Sequence, residues 1–302
     1  MSVPPTAEAS AAPAGWSVEE RASSGSRLGS LLRWISTLSL DAPLVALAWL
    51  FAIGRPTAWE AAALALAVWW GYAVDRWLDG WKRDVVQQGA ARHRFAARHR
   101  WLWGAWLVAV CAVSFAVIPA HLAARLVSAG GTLAAALVLY TALDQLWPAK
   151  LRAFAQRELW VASAVAAAIV LFAGWGTRGA AELAGAAPIA FALVALCAAD
   201  CRAIRLLEGA RRADAGVAGS RGVLALCALS WITFASIGAL PQAAAALGFG
   251  AFLAFAFGRR PAAAEPARTE TVAPGCDLAL AALGFAAALG QGLLERGSLL
   301  AS

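Results

Sequence analysis

Uncharged stretches of 18 or more residues recur along this 302-residue chain, at 101–124, 126–143, 159–177 and 222–258. A run of that length reads as a helix that crosses a bilayer. Charge gathers between the runs. The pattern predicts an all-α, polytopic membrane bundle of about nine transmembrane helices, at about 37–54, 57–79, 101–119, 122–144, 157–175, 181–200, 222–240, 242–258 and 273–294. The long run after Arg221 is roughly twice what a bilayer needs, so two helices are expected there, with Pro241 as the break.

Residues 1–36 are expected to form a cytoplasmic tail, and 37–295 a single transmembrane domain. The first 25 residues are rich in Ala, Ser, Pro and Glu, a composition that favours disorder, and no secretory signal is apparent in them. Leu28, Leu31, Leu32 and Ile35 then repeat at helical spacing. They suit either a short interfacial helix or the frayed start of the first span.

Composition agrees with this pattern. The chain is 61% hydrophobic and 14% charged, against roughly 25% charged in an ordinary soluble protein. The net charge of +7 raises the question of nucleic acid. In a membrane protein, basic loops facing anionic lipid explain it better, and no nucleic-acid partner is expected. With the N-terminus inside, 21 of the 25 Lys and Arg fall in cytoplasmic segments, leaving Arg55, Arg125, Arg178 and Arg296 outside. That asymmetry predicts a multi-pass protein of the inner (cytoplasmic) membrane with a cytoplasmic N-terminus. Five cysteines lie mostly within apolar runs. Cys197 and Cys201 share a helix face, but no second pair completes a metal site.

Two acid-bearing segments carry the candidate chemistry. The first, GYAVDRWLD at 71–79, places Asp75 and Asp79 one helical turn apart, with Arg76 between them. The second ends the sixth expected span and carries Asp200, Arg205 and Glu208. Asp200 and Glu208 lie about 80° apart around a helix and roughly 12 Å apart along it. Both clusters are expected at cytoplasmic helix ends, where they could face one another. Ionisable groups at membrane depth usually mark function. Four carboxylates around Mg²⁺ would suit a diphosphate, because Mg²⁺ takes hard oxygen ligands and bridges phosphates. Asp41 and Asp144 are expected at the inner surface. The basic run at 91–100 and the loop holding Lys150 either grip phosphate or supply inward-facing charge.

Residues 71–79 resemble the first aspartate motif of the UbiA-type membrane prenyltransferases, N-D-x-x-D-x-x-x-D. The frequent D-R-x-x-D ending stands here as Asp75-Arg76-Trp77-Leu78-Asp79. The second motif, D-x-x-x-D-x-x-x-D, is matched at its ends by Asp200 and Glu208. The resemblance implies a UbiA-like bundle that transfers a polyprenyl group from a prenyl diphosphate to an aromatic or lipid acceptor. Asp75, Asp79, Asp200 and Glu208 would hold Mg²⁺, and Arg76, Arg205 and Lys150 would contact the diphosphate. Gly71, Tyr72 and Ile204 stand where the motifs have oxygen ligands, with Asp84 or Asp214 as candidate replacements. The alternatives are a non-catalytic relative that binds a lipid or a partner, and a small-solute transporter.

Overall fold

A computed structural model describes residues 31, 34–81, 91–146, 157–174, 185–208, 216–258 and 266–301. Among the described residues every regular element is helical. These are α1 (Asp41–Ile53), α2 (Ala58–Asp79), α3 (Ala91–Arg98), α4 (Arg100–Val117), α5 (Ala124–Leu146), α6 (Arg157–Phe172), α7 (Ala187–Glu208), α8 (Gly216–Ser236), α9 (Leu240–Gly258) and α10 (Pro266–Ala301). A 3₁₀ turn, Ile118–His121, joins α4 to α5. Five apolar segments are long enough to cross a membrane: Arg100–His121, Ala124–Leu143, Ala187–Leu206, Leu240–Gly258 and Pro274–Arg296. Asp41–Ile53 and Glu158–Phe172 are apolar but shorter.

The core forms where α1, α7, α8, α9 and α10 pack together. Trp49, Leu193, Phe234, Phe249, Leu253 and Leu280 are its largest fully buried side chains. Trp49 of α1 stacks on Phe234 of α8, with ring centroids 5.7 Å apart and planes 11° apart. Small residues draw the helices close. A Cβ on Gly284 of α10 would lie 2.9 Å from the Ala48 Cβ of α1, so that seam closes only around glycine.

The periphery is built differently. Only 11% of the apolar window of α4 and 6% of that of α5 is buried, against 50% for α7. Trp101, Leu102 and Phe115 are each 72% exposed. Apolar faces of this extent are unstable in water and at home in lipid. The fold is that of an α-helical membrane protein, with α4 and α5 on its rim.

Two local expectations are corrected. The break in the long run after Arg221 is made by Gly238, not Pro241. Gly238 takes φ +74°, and the Ala239 and Gly238 N–H groups donate to the Phe234 and Ala235 carbonyls, which closes α8 in a Schellman motif. Pro241 sits in the first turn of α9, where its missing N–H leaves no gap. The Arg/His-rich stretch expected as a loop contains α3, whose Phe95 packs edge-on to Trp103. The last helix begins at Pro266 and runs through Pro274, and its apolar segment Pro274–Arg296 agrees with the expected span. The amphipathic stretch at 26–36 lies largely outside the described residues, although 34–37 is helical.

Candidate functional site

The polar centre is assembled from four helices. α2 begins at a capping box, in which Thr57 and Glu60 satisfy each other's backbone N–H groups. Its other end carries Tyr72, Asp75, Arg76 and Asp79, and both Arg76 and Asp79 are buried. The Arg76 guanidinium faces Asp41, the first residue of α1, with Nη2 and Oδ2 3.6 Å apart. It also donates to the Ser36 carbonyl. Asp41 was expected at the interface, but it is only 2% exposed. Its Oδ1 accepts the Ala42 N–H at 3.1 Å, one of the backbone donors that a helix start leaves unsatisfied. A buried guanidinium demands such partners.

Asp200 lies two turns before the end of α7 and is 6% exposed. It lines a small cavity together with Asp277 of α10, and Asp41 lies within electrostatic reach. Tyr72 of α2 lies beside Cys201 of α7 at the same cavity. Tyr72, Cys197, Asp200, Cys201 and Asp277 all line one cavity of about 20 Å³. That volume accommodates about one water. The Oδ1 atom of Asp200 is buried, and among the described residues it has no hydrogen-bond partner. Four cysteines, Cys197, Cys201, Cys227 and Cys276, are close enough to feel the charge on Asp200.

The two acid-bearing segments are therefore brought together, but through different side chains from those expected. Tyr72, which stands at a missing-ligand position, fills the space beside Asp200. Gly71 is exposed, and a Cβ there would meet open space. Asp75 and Asp79 sit one and two turns beyond Tyr72, and each makes polar interactions of its own. Arg205 is 74% exposed and pairs with Glu158 of α6. Glu208 closes α7, with its side chain outside the described set. Lys150, Asp84, Asp144 and Asp214 lie outside the described residues or side chains. Asp41 and Asp277 were missed as members of this centre. The cost of an acid within an apolar helix is the signal that could have flagged Asp277.

Among the described residues, no three His, Cys, Asp or Glu side chains converge to hold a metal ion. Mg²⁺ keeps several waters when bound, so the one-water cavity at Asp200 does not fit it. Asp75 and Asp79 offer hard oxygens of the right kind at the end of α2.

A second, larger cavity lies farther along the α6–α7 seam, away from the acids. It is an apolar groove of about 480 Å³, lined by Thr132, Ala136, Ala167, Val170 and Ala190 among others. Thr132 donates back to the Ser128 carbonyl at 3.0 Å, so its hydroxyl is already satisfied.

The geometry defines an all-helical, multi-pass membrane protein with a buried acidic centre and an apolar side groove. The chain matches no known family model, characterised protein or solved structure.

Proposed function

We propose that this protein is a UbiA-like membrane prenyltransferase, moving a polyprenyl group from a prenyl diphosphate to an aromatic or lipid acceptor. One observation carries the reading: Tyr72 of α2 and Asp200 of α7 line the same cavity, so the two motif-bearing helices face each other. The groove on the α6–α7 seam supports it, being apolar and large enough for part of a lipid chain. In this reading α1, α2 and α4–α10 are nine spans of the inner membrane, with the N-terminus cytoplasmic.

Asp75, Asp79 and Glu208 would hold Mg²⁺ at the helix ends, where it would neutralise the diphosphate as a leaving group. Asp200, the fourth acid of the motifs, sits deeper and faces Asp277. Arg205 is exposed enough to exchange Glu158 for a phosphate oxygen, with Lys150 as a second cationic contact. Arg76 is engaged by Asp41 and Ser36, so it positions the end of α2. The apolar surroundings would shield an allylic cation from water until the acceptor attacks.

A second reading, a non-catalytic lipid-binding protein, is favoured by the small size of the cavity at Asp200. Melting in detergent separates the two. Prenyl diphosphate with Mg²⁺ should raise the midpoint, by an amount equivalent to about 2.7 kcal/mol at 100 times the dissociation constant. Equal stabilisation in excess chelator, or none at all, favours the lipid-binding reading.

A further inference from the structure

We propose that Asp200, Asp277 and the Tyr72 hydroxyl form a buried binding site for one small monovalent cation, with Na⁺ as the occupant. The inference deepens the reading above, because it gives Asp200 a role separate from the diphosphate. Three observations converge on it. Asp200 is 6% exposed and lines the small cavity, yet among the described residues its buried Oδ1 has no hydrogen-bond partner. A buried carboxylate oxygen left in that state costs free energy unless something positive meets it. Asp200 and Asp277 line the same small cavity, close enough to interact. Two such groups are held together only by a shared proton or by a cation between them. Arg76, the guanidinium nearest on α2, is already engaged by Asp41.

Size and chemistry select the ion. The space of about 20 Å³ takes one water-sized particle. A strongly hydrated divalent ion would have to shed its shell to enter, and Mg²⁺ does so reluctantly. A monovalent ion sheds water more readily, and the oxygens of Asp200, Asp277 and Tyr72 can replace part of its shell. Soft metals would seek the thiols of Cys197 and Cys201 instead. The acids come from α7 and α10 and the hydroxyl from α2, so a bound ion would tie three helices together.

The test is made on the full-length wild-type protein in detergent, without prenyl diphosphate. Melting is compared in NaCl and choline chloride at equal ionic strength, and ²²Na⁺ binding is counted per chain. A saturable rise of roughly 5 °C in Na⁺ and one ion per chain are expected. Asp277→Asn and Tyr72→Phe should each weaken the Na⁺-dependent rise at least tenfold in apparent affinity. Tyr72→Phe keeps the ring, so it guards against a misfolded Asp277 variant. Identical melting in Na⁺ and choline, with no bound ²²Na⁺, overturns the proposal and leaves a proton as the shared species. The prenyl diphosphate shift, measured in choline chloride, fails or succeeds independently of this result.

Discussion

Arg76→Met should destabilise this protein more than any exchange of an exposed charge. Arg76 is 7% exposed and Asp41 2%, so removing the guanidinium strands a carboxylate inside the bundle. Breaking a buried pair from one side costs about 3–5 kcal/mol. The Ser36 carbonyl loses its donor as well. At roughly 2–4 °C per kcal/mol, the melting midpoint should fall by roughly 6–20 °C. Removing both charges tells a different story. Asp41→Asn combined with Arg76→Met leaves no stranded ion, and such replacements are often near neutral. The double variant should therefore recover most of the loss, with a coupling of about 2 kcal/mol or more. The 15 tryptophans make intrinsic fluorescence in detergent a direct readout of the melt. An Arg76→Met loss below about 1 kcal/mol, or single losses that simply add, would falsify the view that this pair holds α1 against α2.

Other outcomes follow from packing and topology. Gly284→Ala should cost about 1–3 kcal/mol, because its Cβ meets Ala48 at 2.9 Å, and the same melt reads it. Gly71→Ala is the opposite case: its Cβ meets open space within α2, so up to about 1 kcal/mol of gain is expected. Ala190→Trp should fill part of the apolar groove and reduce co-purifying lipid, measured by native mass spectrometry, while leaving the midpoint almost unchanged. Reporter fusions after Arg100 and Arg221 should read cytoplasmic, and one at Ser302 should read external. A cytoplasmic signal at Ser302 would remove one span from the nine-span topology.

Much of the architecture is written locally along the chain. Apolar runs longer than a bilayer crossing can satisfy their backbone only as helices, so membrane helices and their approximate limits are legible without tertiary information. The exposed faces of α4 and α5 follow from the same cause, since lipid removes any need to bury them. The candidate acids were also readable, because Asp75, Asp79 and Asp200 stand out against apolar neighbours.

What sequence spacing does not encode is which side chain meets which across helices. Asp41 reads as an interfacial acid, yet the approach of α1 to α2 puts it against Arg76. Asp277 stands out in the sequence only as an acid within an apolar helix, yet α10 packs beside α7 and delivers it to the cavity at Asp200. Tyr72 reads as a lost ligand, yet its reach across to Cys201 helps close the cavity. Each pairing joins residues 35 to 129 positions apart on separate helices, and is set by helix rotation and depth. Those are decided by close contacts such as Gly284 on Ala48, and only the folded bundle brings such contacts about.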